Sequence, residues 1–186
     1  MEDINKTFTI QWVGPFHSLM EMNQYLGNTE TCDEGLFSFY YFCGNKKGKG
    51  HKKNYFYRYF GIHKRIDSIK MRLQSRHEHF RDFIENENLD IWIGTFACEK
   101  NQMEQNIEDV ETLFISTYGD YLTENDRKKN SIPRESICII NLWYKESENQ
   151  QWIRKKPSIN FFHDVLIYEK EFNQILVANL TQIKNQ

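Results

Sequence analysis

The sequence predicts an α+β fold: a small, mostly antiparallel sheet with flanking helices, a β-β-α-β-α core, and β extensions at the N-terminal and C-terminal sides. Three observations predict it. Short runs of β-branched and aromatic residues recur along the chain. Between several of them lie segments with apolar residues at helical spacing. The 186 residues include 14 Phe, 10 Tyr and 4 Trp but only 9 Gly and 3 Pro, which suits a packed core and excludes a collagen-like, low-complexity or wholly disordered chain.

Thr7 to Val13, T-F-T-I-Q-W-V, reads as a strand. His17 to Leu26 carries Leu19, Met22 and Leu26 at helical spacing, and Gly27 suits the cap that ends the helix. Gly27 to Glu34 is polar turn material. Leu36 to Cys43 is an aromatic run expected as a core strand, and Tyr55 to Ile62 is its returning partner. Between them Gly44 to Asn54 holds three glycines and five lysines, a flexible basic loop. Asp67 to Ile84 reads as a helix, capped by Asp67 or Ser68, with Ile69, Leu73, Phe80, Phe83 and Ile84 as its apolar stripe. Leu89 to Cys98 is a third core strand. Ile107 to Tyr118 is a second core helix, with Asp109 and Glu111 complementing the dipole in its first turn. Leu122 to Pro133 is a polar, basic loop. Ile137 to Tyr144 is a strand, and Val165 to Tyr168 with Gln174 to Leu180 form a hairpin about E-K-E-F-N. Three segments result: an N-terminal extension over 1–34, a core over 35–133 and a β-rich extension over 134–186 packed on it.

Charge is segregated along the chain. Gly44 to Arg81 holds 12 Lys or Arg against two acids, and Asp82 to Asp126 holds 12 acids against Lys100 alone, although the whole chain is only −2. Such a basic block either meets a polyanion or pairs with the acidic block across the fold. The four cysteines are scattered without a C-x-x-C pair, so zinc-ribbon and redox signatures are missing. No apolar run approaches the roughly 18 residues of a membrane span, and Met1 to Thr7 lacks a signal-peptide pattern, so no membrane association and a cytoplasmic setting are expected.

Phosphate-loop, dinucleotide, zincin and hydrolase-elbow motifs are all absent, which excludes those enzyme classes. A looser constellation remains. Tyr59 ends the second hairpin strand, Arg72 and Arg76 share one helix face, Glu111 opens the second core helix, and Asn125 sits in the following loop. Such a set can cut a phosphodiester: an arginine to steady phosphate charge, a carboxylate to hold a divalent cation, a tyrosine to assist or act as nucleophile.

In order and spacing, these residues resemble the GIY-YIG nuclease family. Gly35-Leu36-Phe37 is similar to its first motif and Tyr59-Phe60-Gly61 to its second. Arg72-Leu73 with His77 resembles its arginine-bearing helix, Asp109 to Phe114 its metal-binding helix, and Leu122 to Asn125 its asparagine loop. The likeness covers about Gly35 to Pro133. It implies a DNA endonuclease using Mg²⁺ or Mn²⁺, with Tyr59 as base or relay, Arg72 as phosphate clamp, Glu111 as metal ligand and Asn125 on the far side of the site. Phe37 replaces the tyrosine of the first motif and has no hydroxyl. His77 follows Arg72 by five residues where the family spaces such a pair by four, the position of Arg76. The alternative is a catalytically inactive member of that fold that binds nucleic acid or protein. Lys46, Lys47, Lys49, Lys52 and Lys53, then Arg76, Lys128 and Lys129, are the expected phosphate contacts. Cutting both strands with one site per chain points to a homodimer or to two successive nicks.

Overall fold

The computed structural model describes residues 6–28, 37–46, 53, 55–64, 89–123, 125, 127–146, 152–154 and 162–180. The elements in chain order are β1 (Lys6–Phe16), α1 (Leu19–Asn28), β2 (Phe37–Lys46), β3 (Tyr55–Ile62), β4 (Asp90–Phe96), a 3₁₀ turn (Glu99–Asn101), α2 (Glu104–Tyr118), β5 (Ile137–Glu146), β6 (Trp152–Arg154), β7 (Val165–Glu169) and β8 (Gln174–Ala178). The helix expected over Asp67 to Ile84 lies outside the described residues. Strand β6 falls where the sequence reading had no element.

The expected architecture is corrected. In place of a small sheet with flanking helices, one eight-stranded sheet curls into a half-barrel, with two α-helices among the described residues. Its order is β3-β2-β4-β1-β5-β7-β8, with β6 attached to β5. It is mixed: β1 runs antiparallel to β4 on one side and parallel to β5 on the other. The terminal segments are therefore not extensions. β1 is the middle of the sheet, and β5, β7 and β8 continue it without a break at residue 134. The physical reason is that a period-2 pattern tells which face a residue takes but not which strand lies beside it.

Alternation sorts the side chains into two layers. Trp12, Phe39, Tyr41, Phe60, Trp92, Trp143 and Leu166 share one face with the buried stripe of α2, Val110, Leu113 and Phe114. Phe16, Tyr40, Phe42, Tyr57, Ile91 and Ile93 share the other with Met22 and Leu26 of α1. The first layer reaches from β3 at one edge to Tyr168 of β7, all around one helix, so the sheet must curl about α2. Phe114 is its hub, stacked on Phe60 at 4.5 Å and edge-on to Trp12 and Phe162 at 6.0 and 5.3 Å. Trp12 stacks on its parallel neighbour Trp143 at 4.9 Å, and its indole N–H donates to Asn141 Oδ1 at 3.0 Å. Strand β2 is buried on both faces, which is why its aromatic run does not alternate with polar residues.

Glycines mark where layers come closest. Gly61 pairs with Tyr40 across β2 and β3, and a Cβ there would lie 2.3 Å from the tyrosine ring. Gly14, at φ 148, sits in the irregular stretch between Val13 and Phe16, where a Cβ would meet the Ile91 carbonyl at 2.6 Å.

Candidate functional site

The outer edge of β3 gathers three of the segments singled out in the sequence. Because β3 ends the sheet, its outward N–H and C=O groups need partners that no strand among the described residues supplies. The loop after α2 supplies them. Asn125 Oδ1 accepts from the Phe60 N–H at 2.9 Å, and its Nδ2 donates to the Phe60 carbonyl at 2.7 Å. Two residues earlier on each segment, Thr123 Oγ1 accepts from the Arg58 N–H at 3.0 Å. Asn125 is thus buried and tied to the middle residue of Tyr59-Phe60-Gly61.

Glu111 projects from α2, its carboxylate only 16% exposed, and accepts a hydrogen bond from Lys128 Nζ at 2.7 Å. Further ion pairs line the same helix. Lys64, just past β3, meets both Glu104, at 3.0 Å, and Glu108. The hydrogen bond from Lys64 holds the Glu108 carboxyl below its ordinary range, and the bond from Glu108 holds the lysine above its own. Arg134 reaches Asp109 Oδ1 at 3.0 Å and Glu108 at 3.3 Å. Part of the basic block does pair with the acidic one across the fold.

The other expected site residues are distributed as follows. The Tyr59 ring belongs to the α1-side layer, 6.1 Å from the ring of Tyr40 and 5.3 Å from that of Phe42. Glu111 belongs to the helix on the opposite face, so the two do not look into a common cleft across the sheet. Phe37 is buried in the layer of Tyr59. Lys46 is not in a loop: it ends β2, 5% exposed, with Nζ 3.7 Å over the Tyr57 ring, a cation–π contact. Lys53 is exposed. The side-chain carbons of Lys129 rest against Gly119, where an added Cβ would meet Cγ at 2.8 Å. Arg72, Arg76, His77, Lys47, Lys49 and Lys52 lie outside the described residues.

No family model, no curated protein and no solved structure matches this chain.

Among the described residues no three His, Cys, Asp or Glu side chains gather for a metal, and no helix is long and apolar enough to cross a membrane. A magnesium-like ion does not need such a cage. It keeps most of its waters and takes one or two carboxylates. Glu111 is the carboxylate expected to hold such an ion, and one of its oxygens is occupied by the ammonium of Lys128.

A second polar row crosses β3, β2 and β4 through Arg58, Cys43 and Asp90, which are register partners. Burial pushes the Cys43 thiol up to about 11, with Tyr41 its hydrogen-bonding neighbour. Burial also raises the Asp90 carboxyl, against the opposing effect of His17, whose Nδ1 is 3.2 Å away. A thiol held neutral in this way is packing material rather than a nucleophile.

The sequence reading missed Thr123 as an edge partner and Lys128 as the partner of Glu111. The second was signalled by opposite charges in segregated blocks.

Proposed function

We propose that the chain is a metal-dependent endonuclease acting on DNA phosphodiester bonds, with its site along the outer edge of β3. One observation carries the reading. The double hydrogen bond of Asn125 to Phe60, with the Lys128–Glu111 pair, draws the Tyr59 strand, the Glu111 helix and the Asn125 loop to one border of the sheet. These are the segments whose order resembles GIY-YIG nucleases, and strand order β3-β2-β4 makes the two motif strands direct neighbours.

Glu111 would hold the Mg²⁺ or Mn²⁺ ion, which when bound offsets negative charge developing on the phosphate. Asn125 keeps the β3 edge in a fixed position and so orients Tyr59 and Gly61 on either side of Phe60. Tyr59 would be the base or its relay, as its phenolate taking the proton of the attacking water, from the side of the β3 edge opposite the Glu111 helix. Arg72 and His77 keep the roles that the resemblance implies, the phosphate clamp and its helical neighbour.

A second reading, an inactive nucleic-acid-binding module, is favoured by the Tyr59 ring lying on the face opposite α2. Nicking of supercoiled plasmid in Mg²⁺ or Mn²⁺ separates the two. The nuclease reading expects metal-dependent nicking by the native chain, lost by 10²-fold or more, on the order of magnitude of removing one electrostatic stabiliser, in Glu111→Gln. Salt-sensitive DNA binding without nicking selects the second reading. Nicking that persists in Glu111→Gln rejects the assigned site.

A further inference from the structure

The two borders of the sheet are finished differently. At β3 the side chains of Thr123 and Asn125 occupy outward backbone groups. At the opposite border, β8 meets β7 on one side and no strand among the described residues on the other. Natural edge strands are blunted by a charged side chain, a proline or a bulge. β8 has none of these: it reads Q-I-L-V-A and pairs with β7 in unbroken register over all five residues. Its side chains are not absorbed by the fold either. Leu176 is 38% and Val177 44% exposed, and Phe172 in the preceding turn is 59% exposed. Three of the eight large exposed apolar side chains among the described residues thus fall within six positions.

Such an edge accepts an extended strand, and its chemistry selects one that is uncharged and apolar on both faces. β8 is itself that strand, and the sequence about it is close to palindromic. Read outward from Leu176, Ile175 answers Val177, Gln174 answers Ala178, Asn173 answers Asn179 and Phe172 answers Leu180. A two-fold axis through Leu176 therefore sets Ile175 against Val177 in both directions, and no residue from 172 to 180 carries a charge to oppose. Ile175 already packs against the α2-side layer, and Val177, opposite Leu166 of that layer, shares its face. Pairing carries the layer across the axis, while Leu176 meets Leu176 of the second copy on the other face.

We propose that a second copy of this chain adds its β8 to β8, antiparallel and centred on Leu176, so that two sheets become one. This does not rest on the nuclease reading, and it leaves the β3 border of each copy at the far ends. Five paired residues a side is small against the roughly 20–30 of a standard interface, so the dimer is a weak one, with a Kd on the order of 100 μM.

The test is sedimentation velocity of the full chain from about 10 to 500 μM, a range that brackets that Kd. The native chain is expected to shift from monomer to dimer across it. Leu176→Lys places two ammonium groups face to face at the axis and is expected to weaken the dimer about tenfold or more, with the urea midpoint of the monomer unchanged. Oxidative crosslinking reads the register. Leu176→Cys sets two thiols directly opposite, within reach of a disulfide, whereas Gln174→Cys faces residue 178 and is the control. Peptide mapping is expected to find the 176–176 link in the first variant and no 174–174 link in the second. A monomer at every concentration overturns the proposal and leaves the edge to a strand from a different protein. A dimer that Leu176→Lys does not weaken, or crosslinking of Gln174→Cys as fast as of Leu176→Cys, overturns it as well.

Discussion

At the residue scale, the side chain of Asn125 does what a neighbouring strand does with its backbone. One amide offers both an acceptor and a donor, and Phe60 uses both, at 2.9 and 2.7 Å. Aspartate keeps the acceptor but turns the donor into a second oxygen facing the Phe60 carbonyl. Asn125→Asp is therefore expected to lose about 1–3 kcal/mol of stability at neutral pH, as is Asn125→Ala. The introduced carboxyl can donate only when protonated, so folding raises its pKa. The deficit should shrink below about pH 4, the ordinary aspartate range, and grow as pH rises through the raised value. Urea midpoints at pH 3.5 and pH 7 check this, and an Asn125→Asp chain as stable as the native one at pH 7 would remove the edge-partner role. The sequence singled out Asn125 through a family likeness and placed it in a polar, basic loop. That its amide serves a strand 65 residues earlier is invisible locally, because nothing in L-T-E-N announces a bare sheet edge.

At the scale of elements, position was far more legible than pairing. The Tyr55–Ile62 strand, the Val165–Glu169 and Gln174–Ala178 hairpin and both helices were readable from local composition and period. Lys46, read as loop, is strand, because Gly44 to Lys46 stay paired with Tyr57 to Tyr55 despite their loop-like composition. Pairing was not legible because β1 carries a half-buried pattern equally suited to an edge or a centre. What secures the centre is α2. Its Phe114 touches rings from β1, β3 and the segment before β7, so it ties distant strands together. Phe114→Ala is expected to cost about 3–5 kcal/mol, since the surrounding rings cannot all close on the space it leaves. Hydrogen exchange should then quicken in β3 and β1 together. Faster exchange confined to α2 would mean the helix is not what holds the sheet's curl.

At the scale of the whole molecule, ion pairs link segments far apart in sequence, and they give stability a direction with pH. Glu108 is held low by Lys64 and Glu135 by Lys6, so each contributes stability that is present above the ordinary glutamate range and lost as pH falls through the lowered value. Asp90, raised by burial, acts oppositely: its share is present in acid and lost as pH rises through its raised value. The two depressed glutamates outnumber it, so unfolding midpoints in urea should fall on acidification below about pH 4.5, and Glu108→Gln should flatten that limb. An acid limb identical in Glu108→Gln would assign it to other carboxylates. The central position of β1 also bears on how the chain is made. Residues 6–16 leave the ribosome long before residues 91–96 and 137–144, between which they must settle. At translation rates of about 5–20 residues per second, this strand waits on the order of ten seconds with both hydrogen-bonding borders open. T-F-T-I-Q-W-V is thus a stretch of the nascent chain that needs cover, and it is released only when residues 137–144 emerge to close its second border.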